Sequence, residues 1–306
     1  AKSSIDIAMY SFSDSAISEA LAGAVARGLS VRMVFESAKT DRLDPDGSKS
    51  AKLEALGVDV RYINKIMHHK YAIIDGPRER VADAASGWLV TGSANWSNSA
   101  ATRYDENTVF IRGHEESLLR FQAQFNLMWN NSRDFAHTEL FEWFASMNVT
   151  DEVIATADDV DFDSVMTSDN FGVKDSSFGA TFSAVSGRNT VSDKLVELIG
   201  NATKSIHVAS GHLRSRPVSE AIMAAKEANP ELDVRVYLDS QEYISSSYHN
   251  SQVSKLNTCL EAAGDSVSKR QKCMDKGFLF GFELHSRGVD VRYKYYAYRW
   301  HYSYAP

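Results

Sequence analysis

The chain of 306 residues is 43% hydrophobic, long and apolar enough to build about two domains with full cores. A formal net charge of −7 gives no global basic footprint, which argues against a dedicated nucleic-acid binder while leaving room for a local basic cleft. No apolar run approaches the roughly 20 residues that span a bilayer, so contact with a membrane is expected at its surface only.

Neither a signal peptide nor an initiator Met is present, and the chain opens inside a periodic segment, as if sequence had been removed ahead of it. Ile5 to Tyr10 is a short apolar stretch that reads as a buried strand. The following SDSAISEALAGAVARG predicts a helix with its N-cap at Ser13 or Asp14, apolar positions at Ile17, Leu21 and Val25, and a stop at Gly28. LSVRMVFE, ALGVDVRYI and HHKYAIIDG return as strands, LVTGSANWS ends another, and YDENTVFI begins one more. Short buried strands alternating with helices predict α/β architecture, a mostly parallel mixed sheet flanked by helices. From about residue 148 the sequence becomes acidic and aperiodic and reads as a solvated linker, its carboxylates not spaced as a calcium loop. The expected organisation is a first domain over 1–147, the linker over 148–178 and a second domain over 179–306.

The string GVDVRY occurs at 57–62 and again at 288–293. Two more blocks recur in the same order: SIDIAMYSFSDSAISEAL on SIHVASGHLRSRPVSEAI, and SVRMVFE on DVRVYLD. Three ordered matches predict an internal duplication, with an insertion of roughly 28 residues in the second half that carries Cys259 and Cys273. These cysteines lack metal-site spacing and are read either as a small disulfide or as two free thiols.

A strand period of two places His68 and Lys70 on one face of IMHHKYAIID, with His69 and Tyr71 on the other. Ser93 and Asn95 share a face at the end of LVTGSANWS, after a glycine that permits close approach. Glu106 opens a third strand. An imidazole, an ammonium, two neutral donors and a carboxylate at strand ends suit a phosphodiester, whose cleavage needs a nucleophile, donors for the non-bridging oxygens and an acid for the leaving group. His68 is the candidate nucleophile, Glu106 the carboxylate to orient it, and Lys70, Ser93 and Asn95 the phosphate ligands. This chemistry requires no metal or cofactor.

His68, Lys70 and Asp75 reproduce the H-x-K-x4-D signature, and GSANWSNSA resembles the G-S-x-N element, of the phospholipase D superfamily. IAMYSF, RGLSVRMVFE and YDEN are similar to further segments of that family, so the resemblance covers most of residues 1–130 and, more weakly, 179–306. It implies two similar domains related by a pseudo-two-fold axis, catalysis by His68 and Lys70, phosphate binding by Ser93 and Asn95, a structural role for Asp75, and a covalent phosphohistidine. It further implies a phospholipid substrate at a membrane surface, with nucleic acid the second choice and a degenerate binding protein the third.

The second half carries no H-x-K-x4-D or G-S-x-N, and His301 lacks a lysine partner. A second motif is therefore expected from sequence beyond Pro306, or else from a second chain. His212 could line a cleft, the aromatic run YKYYAYRWHYSYAP suits a membrane interface, nucleobases or plain packing, and a secreted or periplasmic location is expected.

Overall fold

SIDIAM, an apolar run interrupted by one carboxylate, forms the central strand of the first unit, covered on both faces. The structure is a computed structural model of the chain, and it describes residues 1–136, 149–157, 163–174, 179–239, 246–276 and 281–294. The chain divides into two units, Ala1–Arg188 and Asn189–Pro306. The run 295–306, with His301, lies outside the described residues.

The first unit contains β1 (Ser4–Met9), α1 (Ser15–Ala26), β2 (Ser30–Phe35), α2 (Ala38–Asp41), α3 (Lys49–Ala55), β3 (Asp59–Tyr62), β4 (Lys70–Ile74), β5 (Trp88–Gly92), α4 (Asn98–Thr102), β6 (Thr108–Arg112), α5 (Glu115–Asn130) and β7 (Arg133–Asp134). These strands form one mixed sheet in the order β6-β5-β4-β1-β2-β3-β7. β1, β2 and β3 are parallel, joined by helical crossovers as parallel neighbours require. The remaining pairings, β1–β4, β4–β5, β5–β6 and β3–β7, are antiparallel. The parallel character foreseen from the sequence is thus confined to the first three strands of an α/β sheet.

Helix α1 is capped by Asp14, whose carboxylate accepts the Ile17 N–H at 2.9 Å. It lays Leu21 and Ala24 on Ile5, Ile7, Met9 and Val31, with Leu53 of α3 in the same cluster. The opposite face of the sheet, with Ala8, Tyr71, Ile73 and Leu89, is covered by Leu118, Phe125 and Trp129 of α5.

Under α5 lies a buried ion cluster. Asp6, 1% exposed, accepts from Arg32 Nε and Nη2 at 2.7 Å each and from Arg78 Nε at 3.1 Å, with Arg78 Nη2 bonded to its other oxygen. Gln122 Nε2 of α5 donates to it at 3.0 Å. Arg32 is stacked over the Phe125 and Trp129 rings at 5.0 and 4.9 Å, which spreads the second positive charge over aromatic faces. Burial alone would raise the Asp6 carboxyl, yet Arg32 and Arg78 hold it below its ordinary range.

The acidic segment expected as a linker is partly packed instead. Helix α6 (Asp151–Ile154) presents Ile154 to the α5 core together with Val149, and β8 (Phe171–Lys174) pairs antiparallel with β9 (Thr181–Ala184), whose Phe182 packs on that core. Val149 and Ile154 thus draw the otherwise acidic stretch onto the first unit, Phe182 of the segment expected to open the second domain packs there as well, and the boundary falls at Arg188 rather than near 147 or 178.

The second unit contains α7 (Thr190–Gly200), β10 (Ser205–Ser210), α8 (Arg216–Ala228), β11 (Asp233–Leu238), α9 (Ser246–Ala263), α10 (Val267–Lys276), α11 (Gly281–Ser286) and β12 (Asp290–Tyr293). β10, β11 and β12 are parallel in that order. Their register, Ser205↔Asp233 and Arg235↔Asp290, is the one the aligned blocks give from Ser4↔Ser30 and Arg32↔Asp59 in β1, β2 and β3. One face packs Ile206, Val234 and Val236 on Val218, Ile222 and Leu284. The other exposes His207, Arg235, Tyr237 and Arg292, with Asp233 pairing His207 at 3.0 Å and Arg235 at 2.9 Å. Cys259 and Cys273 form a disulfide between α9 and α10. Among the described residues no helix is long and apolar enough to cross a membrane.

Removing Asp6 strands two guanidinium groups in the interior, so Asp6→Ala should lower unfolding free energy by about 3–5 kcal/mol in urea titrations. Because the folded Asp6 is depressed, its stabilisation is present above the ordinary carboxylate value of 3.8 and is lost as pH falls through the lower folded value. Asp6→Asn should therefore flatten the acid limb of stability against pH. Reducing a bridge over a 14-residue separation should cost about 3 kcal/mol by loop entropy, visible as a lower melting temperature in dithiothreitol that Cys273→Ser reproduces without reductant.

Candidate active site

The antiparallel pairing of β4 fixes which residues can meet. Met9 stands opposite Lys70, Tyr71 opposite Thr91, and Gly92 opposite Thr108. The segments just beyond these pairs, Tyr10–Ser11, His68–His69, Ser93–Asn95 and Glu106–Asn107, therefore gather at one end of the sheet. The C-terminal end of parallel β2 delivers Glu36 to the same end.

His68 lies exposed just before β4. Lys70 Nζ sits 3.1 Å from His68 Nδ1 and 3.4 Å from Nε2, and donates to the His68 carbonyl at 2.8 Å. The Tyr10 ring packs 4.3 Å from the imidazole, centroid to centroid, and Tyr10 N donates to the His69 carbonyl at 3.0 Å. Partial burial and the Lys70 ammonium lower the His68 ring below its ordinary value of 6.5, while the Glu36 carboxylate acts in the opposite sense. This shift favours the neutral ring, the form that keeps a free nitrogen lone pair. Burial, with Lys65, Lys70 and His68 around it, brings His69 to about 4, and its ring stands edge-on to buried Tyr71 at 5.3 Å.

Ser93 and Asn95 are set by backbone groups. Asn95 Oδ1 accepts the Ser11 N–H at 3.1 Å, which leaves its Nδ2 hydrogens to donate elsewhere. Ser93 Oγ accepts the Asn107 N–H at 3.0 Å, which leaves the hydroxyl hydrogen as a donor. Gly92, at φ 154°, lets β5 approach β6 here, because a Cβ would stand 2.2 Å from the Asn107 carbonyl oxygen.

Glu106 faces Lys70: burial lowers the Lys70 ammonium and the Glu106 charge opposes that shift. No hydrogen bond joins Glu106 to His68 among the described residues, so the orienting partner expected from the sequence is placed beside the lysine instead. Glu36, which sequence reasoning missed, accepts the Met67 N–H at 2.7 Å. Its position one residue past the end of an apolar parallel strand is the signal that could have found it.

Asp75 lies at the far end of β4, about 17 Å along the strand from Lys70. At φ 52°, it accepts the backbone N–H groups of Lys2, Ser3 and Ser4 at 2.7–3.3 Å. His212 is exposed in the second unit. Among the described residues no three His, Cys, Asp or Glu side chains converge as a metal site.

Residues 1–129 match the family model described as cardiolipin synthase, PLD-like domain. Residues 1–129 are thus similar to a phospholipase D-like domain. Relatives of the chain include proteins named mitochondrial cardiolipin hydrolase: that of Drosophila melanogaster is 31% identical over 149 residues, covering 44% of this chain and 56% of the relative, and that of Homo sapiens is 31% identical over 140 residues, covering 45% and 50%. The chain spans about half the length of the curated relatives it matches. A crystal structure of a phospholipase D family member, Nuc from Salmonella typhimurium, is 27% identical and aligns over 44% of this chain and 82% of that one with a TM-score of 0.36.

Within this phospholipase D-like unit, the ammonium beside His68 can be removed without touching the core. Lys70→Met should raise the His68 pKa, followed by ring-proton NMR, since a cause that lowers it is gone.

Proposed function

We propose that the chain acts as a phospholipase D type phosphodiesterase, releasing or exchanging phospholipid headgroups through a phosphohistidine on His68. The observation that carries this reading is the convergence of the His68 ring, the Lys70 ammonium and the Ser93 and Asn95 donors at one sheet end. A neutral ring nitrogen of His68 attacks phosphorus. The bond to the headgroup oxygen breaks, and that oxygen takes a proton as it leaves. Water, or an alcohol in transfer, then attacks the phosphorus and gives its proton to the base left by the first proton transfer, the P–N bond breaks, and neutral His68 is restored. Lys70 compensates the charge that builds on the non-bridging oxygens, and the Asn95 amide and Ser93 hydroxyl hydrogen-bond to them.

Ile66 is 72% exposed two residues before His68, and Tyr104 is 54% exposed two residues before Glu106. An apolar rim beside the reactive groups supports an acyl-chain surface over the polyanionic backbone of nucleic acid. The relatives' name supports cardiolipin as the first substrate to try, and the disulfide supports an oxidising compartment, secreted or periplasmic. The leaving oxygen needs an acid opposite His68, which we assign to a second His-x-Lys element, on further sequence or a second copy of the chain. Without it, turnover should fall by about 10²- to 10⁴-fold.

The test sets cardiolipin and phosphatidylcholine vesicles against plasmid DNA, with His68→Asn as control. We expect headgroup or phosphatidyl release that His68→Asn abolishes and that rises with pH through a limb below 6.5, as His68 loses its proton. Cleavage of DNA alone would make the chain a nuclease of the superfamily. Activity that survives His68→Asn would overturn the assignment.

A further inference from the structure

Three backbone groups of the segment that carries His68 are each held by a different element. Tyr10, after β1, donates to the His69 carbonyl, and Lys70, in β4, donates to the His68 carbonyl. The third hold is on Met67. Its side chain is 2% exposed within the α5 core, and its N–H is taken at 2.7 Å by Glu36 Oε2. A carboxylate accepting from a backbone N–H makes a charge-assisted bond, stronger than an amide pair and fixed in direction.

We propose that Glu36 is the positioning carboxylate of this site, fixing the Met67–His68 backbone and supplying the negative charge that faces the His68 ring. The proposal rests on the reading of His68 as the nucleophile for its consequence in turnover, but not for its geometry.

Two physical roles follow from one side chain. Mechanically, Glu36 ties the end of β2 to the residue before His68, so the imidazole is presented by a backbone clamped on both sides. Electrostatically, it is the carboxylate that opposes the Lys70 ammonium at the ring. The groups facing His68 are Tyr10 from the β1 end, Glu36 from the β2 end, and His69 and Lys70 from its own segment, with Glu106 acting on Lys70. When His68 gains a bond to phosphorus its ring becomes cationic beside an ammonium, and a fixed negative charge nearby offsets that repulsion. Glu36 never touches substrate in this scheme; it acts through His68.

The measurement that separates this role from a merely structural one is the His68 titration in the full chain, read from ring ¹⁵N and ¹H shifts and assigned by the signals missing in His68→Asn. Glu36→Gln keeps an acceptor for the Met67 N–H and removes only the charge, so it should fold as the parent does. Glu36→Asp is the charge-preserving control. We expect Glu36→Gln to lower the His68 pKa, Glu36→Asp to keep it near the parent value, and Glu106→Gln to move it less than Glu36→Gln does. An unchanged His68 pKa in Glu36→Gln, or a larger fall in Glu106→Gln, overturns the proposal. Where the chain turns over cardiolipin or a chromogenic phosphodiester, Glu36→Gln should lower kcat by roughly 10-fold with KM little changed, the scale of loss seen when an outer partner of a functional histidine is removed. Failure of the phosphodiesterase reading would leave the titration result standing, so the two are distinguishable.

Discussion

A carboxylate in the middle of an apolar strand is costly to bury unless every lone pair finds a donor, and Asp6 finds Arg32, Arg78 and Gln122. Each donor comes from a different place in the chain: β2, the segment after β4, and α5. The cluster therefore does more than neutralise itself. It fixes β1 against β2 in register, pulls the loop beyond β4 under the sheet, and sets the rotation of α5 so that Phe125 and Trp129 lie on the Arg32 guanidinium. With β1, β2 and β4 locked to one another, the opposite ends of the same strands have little freedom, and those ends carry Tyr10, Glu36 and His68.

Much of this frame was legible in the sequence because it rests on local pattern. The apolar run of β1, the helical spacing of Ile17, Leu21 and Val25, and the glycine before Ser93 each announce what they form. The meeting of His68, Lys70, Ser93 and Asn95 at one sheet end is legible for the same reason, since two short strings at strand ends come together once the strands pair. Asp6, Arg32 and Arg78 were not found, because their meaning lies in contacts made across 26 and 72 positions. Glu36 was missed likewise, and Glu106 was placed against the histidine because order along the chain cannot say which of two adjacent cations a carboxylate faces. Helix α5 gives no such signal, because its buried face includes the neutral polar Gln122 and Asn126, which serve Asp6 and each other rather than an apolar stripe.

The second unit shows what the ion cluster contributes by lacking it. Strand order and register follow the first unit, but where Asp6 stands in β1 the aligned position in β10 is His207, and Arg235 takes the place of Arg32. These side chains are exposed and pair with Asp233 on their own sheet. Burial follows suit: five successive residues of β2 are buried, whereas β11 alternates between covered and open. A strand whose polar side chains are neutralised by their immediate neighbours can leave one face to water; one that needs a partner from a helix cannot.

Asp75 lies at the far end of β4 from His68 and Lys70, yet it shares a short signature with them. Its carboxylate grips three consecutive backbone N–H groups at the start of β1, directly alongside the end of β4. Side chains on a strand alternate faces, so a slip of β4 by one residue against β1 would turn His68 and Lys70 together to the opposite face, away from Tyr10, and bring Tyr71 out of the core. The three letters of the signature thus act as a gauge block: one end carries the His68–Lys70 pair, the other a stop that keeps the strand from sliding.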